Sequence, residues 1–339
     1  MAIDGETESP KNRETKGARG TNGTRRNALL IFSKLPRAGL VKTRLTPLQD
    51  GIFTPELAAA LYHCMLFDTV EACCGALSDL EGMHEAEGAS SASASSPMAD
   101  AEDESLAGKA LETPSDTYDI LISTAPVEDV EAMRKLFADS GVWPRELHFI
   151  GDTGTSFDEH YNDAFDQAWE QGYDAILSMG ADMPVLPKSV VIEGFQALRR
   201  IDDRDRLSAQ AEGEGEARGG MVLAPDQEMG VSIVGWTRPT NMSHTGVFYN
   251  RDGLTVLPAY IEKARERGLP VHYLPAVPDV DTMADLAHNI TLMQAIEYCA
   301  EFQDLALPWR TIDALRQVGY FEVRVPPNEL RDPRAGIDS

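Results

Sequence analysis

The 339-residue chain is predicted to fold as an α/β protein, a mostly parallel sheet with helices on both faces. Three observations predict this. Short apolar runs with strand character alternate with longer segments whose apolar residues recur at helical spacing. The alternation resumes after each of two low-complexity stretches, so one sheet threads the whole chain. The hydrophobic fraction, 42%, is enough for an ordinary core.

The elements follow in order. NALLIFS (27–33) is apolar throughout and reads as a buried strand. A helix is expected from Pro55 to about Ala76, with Thr54 as N-cap and Pro55 at its first position. YDILIST (118–124) is the next strand, and 127–141 a helix stopped by Gly141. ELHFIG (146–151) is a strand. In the helix 158–172, Tyr161, Phe165, Ala168 and Trp169 fall on one face. DAILSMG (174–180) is a strand and 189–201 a helix. GMVLAP (220–225), VSIVGW (231–236) and HTGVFYN (244–250) read as shorter strands. A helix (257–268), a strand (271–276) and a long helix (283–302) complete the pattern, and a short helix is expected near 311–318.

The domain plan is a disordered tail over 1–26, one α/β domain over 27–302, and an appendage over 303–339. Residues 78–116 and 202–219 are rich in Ser, Ala, Asp and Glu and poor in large apolar residues. They are expected to be surface insertions, with too little to bury to offset their ordering entropy.

A net charge of -25 argues against a nucleic-acid partner, which would need a basic footprint. The four cysteines show no CxxC pair and no zinc spacing, which suits a reducing compartment. The first 26 residues lack the apolar stretch of a signal peptide, and no later segment is a long uninterrupted apolar run. The expectation is a soluble, cytoplasmic protein without membrane insertion.

Against this acidic background, Lys34, Arg37, Lys42 and Arg44 crowd into one loop after the first strand, with Pro36 and Gly39 between them. In an open α/β sheet, ligands bind beyond the carboxyl ends of the strands. Basic side chains and turn N–H groups there suit an anion such as a diphosphate, or else form an exposed basic turn. The loop matches neither the GxxxxGK[ST] nor the GxGxxG fingerprint.

Asp182 follows the central strand and could hold Mg²⁺ or Mn²⁺, or bond its own turn. Asp279 and Asp281 could complete such a site, whereas Asp285, three residues after Thr282, suits a capping box. Asp226 and Glu228 could face the same site or form a polar turn closed by Gly230. The histidines lack HxxxH spacing; His160 and His244 lie nearest to loops. No GxSxG elbow supports a serine triad.

FSKLPRAGLVKTRL (32–45) resembles the first-loop pattern F-x-K-x-P-x-x-G-x-V-K-T-R-L of a bacterial family of candidate nucleotide-diphospho-sugar transferases with the GT-A fold. That family is related to molybdenum-cofactor and phospholactate guanylyltransferases. The resemblance continues through EHYNDAF (159–165), SMGADMP (178–184), APD (224–226) and DVDTMADL (279–286), in family order.

By this resemblance Lys34, Pro36, Gly39, Lys42, Arg44 and His160 would contact the nucleotide. Asp182 and Asp279 would hold a Mg²⁺ or Mn²⁺ ion, Asp182 and Asp281 would be catalytic, and Asp226 and Glu228 would meet the substrate. Two positions depart from the family: His160 stands where an Arg is usual, and Asp226-Gln-Glu-Met-Gly230 where D-G-G-Y is usual. The resemblance implies a metal-dependent glycosyl transfer from a nucleotide sugar to a small-molecule acceptor, and allows a homodimer. V41-K-T-R-L45 also resembles the A-K-S-R-L of guanylyltransferases. The alternatives are therefore nucleotidyl transfer from a nucleoside triphosphate to a phosphorylated small molecule, and nucleotide binding without catalysis.

Overall fold

The computed structural model describes residues 24–93, 116–212, 217–250 and 253–323. The expected tail up to residue 23, parts of both expected insertions and residues 324–339 lie outside them. The strands are β1 (Arg25–Ser33), β2 (Asp116–Thr124), β3 (Leu147–Gly151), β4 (Ala175–Gly180), β5 (Met221–Pro225), β6 (Val231–Thr237) and β7 (Val271–Tyr273). They form one sheet in the order β3-β2-β1-β4-β6-β5-β7. β6 runs antiparallel to both its neighbours, and the other pairings are parallel. The predicted α/β, mostly parallel, Rossmann-like sheet is the observed one.

The helices are α1 (Pro55–Ser93), α2 (Val130–Asp139), α3 (Phe157–Glu170), α4 (Lys188–Glu212), α5 (Val256–Glu266), α6 (Met283–Cys299) and α7 (Trp309–Gln317). The strand period of two sorts β1 between two cores. Leu29 and Ile31 face a cluster built with α1, α2, α4, α6 and α7, while Ala28 and Leu30 face one built with α3 and α5. All four are fully buried, which explains a strand with no polar alternation. The expected caps are in place. Thr54 Oγ1 accepts from Leu57 N–H at α1, and Thr282 with Asp285 closes a reciprocal capping box at α6.

Four expectations change. α1 does not stop near Ala76 but runs to Ser93. Leu77 and Leu80 are fully buried, Arg145 pairs with Glu81 at 2.7 Å, and His84 Nε2 is 3.0 Å from Tyr118 Oη. The start of the first expected insertion is thus part of the fold. The 30-residue stretch Pro55–His84 of α1 is apolar and long enough to cross a bilayer, but 72% of its most apolar window is buried inside the protein.

α4 likewise continues into the second expected insertion, to Glu212. The cause lies far away in sequence. Arg25, 3% exposed, bonds Asp116 at 2.6 Å and also Asp202 and Asp203. These acids neutralise a buried guanidinium and so keep the helix wound past Ile201.

Residues 244–250 are not a strand. Asp158 accepts the N–H groups of Gly246 and Phe248 at 2.7 and 2.9 Å, and Asn250 bonds Val247 O and Leu254 O. Side chains take the bonds that a neighbouring strand would have supplied.

The C-terminal segment is more than an appendage. α7 docks on α1 and buries Ile312 and Leu315 in the larger core, joined by Phe321. Asp68 accepts from Thr311 N–H at 2.8 Å and Thr311 Oγ1 at 2.7 Å, fixing the contact.

Candidate active site at the carboxyl edge of the sheet

The strands β1, β2, β3 and β4 run parallel and end together, and the loops after them carry the polar clusters. The loop after β1 climbs past Gly39, whose φ of 78° is left-handed and needs no side-chain accommodation. It then turns at Lys42, φ 47°, ahead of a 3-10 turn over Thr43–Leu45. A left-handed lysine is strained, and such strain persists where surrounding contacts fix the residue. Gly51 closes the loop. A Cβ there would meet Leu45 C at 2.0 Å, so the chain returns against its own backbone only with glycine.

Those contacts are electrostatic. Lys42 Nζ lies 2.5 Å from Asp182 Oδ2 and 2.9 Å from Asp281 Oδ1, and Arg44 Nη1 lies 3.0 Å from Asp281 Oδ2. Asp182 ends β4. The chain after β7 does not stay in the sheet as expected, but runs on beside β5 through Leu274 N–H to Leu223 O and Val277 N–H to Pro225 O. Val280 N–H then bonds Asp182 O at 3.1 Å. This places Asp281 and Asp279 beside the β4 loop, 97 residues downstream of Asp182 for the nearer of them.

Burial works against both acids, with opposite net results. The Asp279 carboxyl is pushed up to about 7 by burial and by the charges of Asp182, Asp281 and Asp226, despite a bond from Gln227. For Asp281 burial also acts upward, but Lys42 and Arg44 win and hold it below the ordinary carboxylate value. Lys42 is raised: its two carboxylates outweigh the burial that would lower it. Tyr62 from α1 lies next to this cluster, its phenol pushed up to about 12 by burial and Asp182. Its Oη accepts from Lys34 N–H at 3.1 Å.

The other sequence-predicted residues take separate places. Arg37 turns away to pair with Asp129 at 2.7 Å. Lys34 is exposed and makes no ion pair among the described residues. Pro36 is half-buried in the loop. Asp226 closes a turn, its Oδ1 accepting from Glu228 N–H at 2.6 Å and Gly230 N–H at 2.8 Å. Glu228 is exposed and meets the cluster only through that N–H. Between them Gln227, missed in the sequence, reaches both Asp279 Oδ1 and Asp285 Oδ1 at 2.9 Å.

His160 belongs to a second cluster, at the ends of β2 and β3. Its Nδ1 is 2.6 Å from Asp152 Oδ1, and Ser123 Oγ donates to Asp152 Oδ2 at 2.5 Å. Asp152 follows its strand just as Asp182 follows β4, a placement that could have marked it in the sequence. Tyr161 joins the clusters: its ring stacks on Phe32 at 3.8 Å. Its phenol is raised by burial, then by Asp182 and Asp152. His244, the other candidate histidine, is fully buried against Tyr260 and lies outside both clusters.

A crystal structure of a candidate nucleotide-diphospho-sugar transferase from Desulfovibrio desulfuricans superposes with a TM-score of 0.55 at 21% identity, over 87% of this chain and 97% of that one. The two chains share one fold. Residues 113–251 match the profile of a family described as an uncharacterized protein conserved in bacteria, DUF2064. That match spans Asp152, Asp182 and Asp226 and leaves the basic loop and residues 279–286 outside. Two further structures are more distant. A cytidylyltransferase from Leptospira borgpetersenii gives a TM-score of 0.40 at 12% identity, over 89% of this chain and all of that one. A 4-diphosphocytidyl-2C-methyl-D-erythritol synthase from Anaerococcus prevotii gives 0.40 at 9%, over 80% of this chain and 97% of that one. Comparison with curated proteins gives no match.

Proposed function

We propose that the protein is a metal-dependent glycosyltransferase. Its donor is a nucleoside diphosphate sugar and its acceptor a small molecule. The observation that carries this reading is the alternation of charge at the carboxyl edge, with Lys42 bracketed by Asp182 and Asp281 and with Asp279 adjacent.

The carboxylates fit a hard divalent cation. They offer oxygen only, and Asp279 is raised by burial and then by the neighbouring carboxylates Asp182 and Asp281, a setting a cation would relieve. Among the described residues no three ligands converge on one point. That agrees with Mg²⁺, which commonly takes one or two carboxylates and completes its shell with water and substrate phosphate. Asp182 and Asp279 would hold it, because both oxygens of Asp281 are engaged, by Lys42 and Arg44, whereas Lys42 takes only Oδ2 of Asp182. Bound there, the cation would neutralise charge on the leaving diphosphate.

The chain's own residues do the rest. Lys34 and the loop N–H groups bind phosphate oxygens, and Lys42 stabilises the departing nucleoside diphosphate. Asp281 orients Lys42 and Arg44 toward it. Gln227 holds Asp279 in place and replaces the glycine that the resembling family carries there.

Nucleotidyl transfer would use much of the same machinery. A diphosphate is favoured by how little positive charge the loop has to spare. Arg37 is paired with Asp129, Arg44 with Asp281 and Lys42 with two acids. A triphosphate would present more charge than Lys34, a partly neutralised Lys42 and one cation offset. The four cysteines are free, which supports a cytoplasmic location. Thermal unfolding in Mn²⁺ with a panel of nucleotide sugars and nucleoside triphosphates tests the reading. A ligand stabilises by RT ln(1 + [L]/Kd). A nucleotide sugar should give the largest shift; a triphosphate giving the largest shift would establish the alternative.

A further inference from the structure

The proposed donor site leaves the Ser123, Asp152 and His160 cluster unused, although it lies on the same edge of the sheet. Ser33 Oγ, one residue before the basic loop, donates to Ser123 O at 3.1 Å. Asp152 N–H bonds Thr124 O, so the ends of β1, β2 and β3 are tied side by side. Tyr161, the neighbour of His160, stacks on Phe32 of β1 and feels the charges of both Asp182 and Asp152, so both clusters lie within electrostatic reach of one phenol.

The hydrogen bonds orient the imidazole. Asp152 is 3% exposed and as a carboxylate only accepts. One oxygen takes the Ser123 hydroxyl and the other takes His160 Nδ1–H. The Nδ1 side is thus turned to Asp152, and in the neutral ring Nε2 carries the lone pair. Nε2 makes no protein hydrogen bond among the described residues, and the side chain is 30% exposed. A buried acid orienting a half-exposed histidine with its outer nitrogen free is the arrangement of a general base.

We propose that His160, oriented by Asp152, is the proton acceptor for the acceptor substrate, and that this substrate attacks through a hydroxyl group. The role rests on the glycosyl-transfer reading. The acceptor oxygen forms the new bond to the anomeric carbon as the bond from that carbon to the diphosphate oxygen breaks. The electron pair leaves with the nucleoside diphosphate, and the hydroxyl proton passes to His160 Nε2. Nucleotidyl transfer to a phosphate nucleophile has no such proton to remove, so the dyad also favours glycosyl transfer. The resemblance implies a nucleotide contact for His160; the proposal gives it a different task.

The test uses the full chain with Mn²⁺ and UDP-, GDP-, ADP- and dTDP-glucose, with water as acceptor. Release of nucleoside diphosphate is measured for wild type, His160→Gln and Asp152→Asn. His160→Gln should slow release by about 10²-fold or more, while the affinity for the corresponding nucleoside diphosphate stays within about twofold. Asp152→Asn should show a smaller loss. In wild type, ¹⁵N NMR of the imidazole should show Nδ1 protonated and Nε2 bare, and Asp152→Asn should disturb that pattern. Unchanged release in His160→Gln, affinity lost in step with rate, or a protonated Nε2 at neutral pH would each overturn the role. A wild type that releases diphosphate from none of the four donors would overturn the glycosyl-transfer reading, and this role with it.

Discussion

Lys42 donates to Asp182 across 2.5 Å although 140 residues separate them in the chain. The contact joins the loop after β1 to the loop after β4, the two central parallel strands of the sheet. It is also a charge balance, since Lys42 serves Asp182 and Asp281 together.

Lys42→Ala should therefore uncouple two effects. Nucleotide affinity should fall at least about tenfold. Removing the shared cation should cost roughly 1–3 kcal/mol of stability, because the remaining carboxylates repel in a half-buried site. Millimolar Mn²⁺ should restore more stability to Lys42→Ala than it adds to wild type. Urea unfolding with and without Mn²⁺ measures this. Equal Mn²⁺ effects on both proteins would mean that the carboxylates do not form a cation site.

Arg25→Ala should be among the most destabilising single changes. It leaves Asp116, 1% exposed at its side chain, without its bidentate partner and removes the anchor of Asp202 and Asp203. Breaking a buried ion pair costs about 3–5 kcal/mol. Arg25→Met, which fills the space but keeps no charge, should recover little, since the buried Asp116 keeps only the longer contacts to Arg199 at 3.7 Å and His84 at 3.9 Å. A loss under about 1 kcal/mol in denaturant melts would show that water replaces the guanidinium.

These acids show where sequence reading fails. Asp202 and Asp203 belong to a charged run that composition marks as a solvated insertion. What makes them structural is a guanidinium about 177 residues away, invisible to any local pattern. The strands were legible because both faces of the sheet are covered, so each strand is apolar throughout. HTGVFYN was misread for a related reason: its apolar residues suit a strand, but Asp158 had already claimed the N–H groups of Gly246 and Phe248. In the site, charged residues just past strands were readable from position alone, and Lys42, Arg44, Asp182 and Asp281 do meet. Gln227 and Tyr62 were not, because a neutral side chain on a turn or helix carries no signal until its partner is placed.

Stability should fall in acid through His244. The residue is fully buried, its Nδ1 2.6 Å from Tyr260 Oη. Burial, with Lys263 nearby, lowers it from 6.5 to about 3. The unfolded chain takes up this proton at higher pH than the folded one. The stability tied to neutral His244 is thus complete above 6.5 and is lost as pH falls toward 3. The loss should reach about 2–4 kcal/mol. His244→Phe should flatten the profile over that window even if it lowers stability throughout. Parallel pH profiles for the two proteins would contradict the assignment.

Disrupting Asp68 should release the C-terminal helix. Asp68→Ala removes the acceptor for Thr311 N–H, Thr311 Oγ1 and the Arg310 guanidinium at once. Leaving the two Thr311 donors unpaired, with Arg310 kept by Glu71 alone, should cost about 2–4 kcal/mol. Amide exchange should quicken in α7 before it quickens in β1. Uniform quickening would mean that α7 and the sheet open as one unit.

The central claim is that Asp182 holds a divalent cation against a nucleotide diphosphate. Calorimetric titration of a nucleoside diphosphate sugar, with and without Mn²⁺, on wild type and Asp182→Asn tests it most directly. Asparagine keeps the size and one acceptor but removes the charge. Wild type should bind at least about tenfold more tightly with Mn²⁺ than without. In Asp182→Asn the metal-free affinity should change little, and the gain from Mn²⁺ should largely vanish. A variant that keeps the full Mn²⁺-dependent gain would contradict the account.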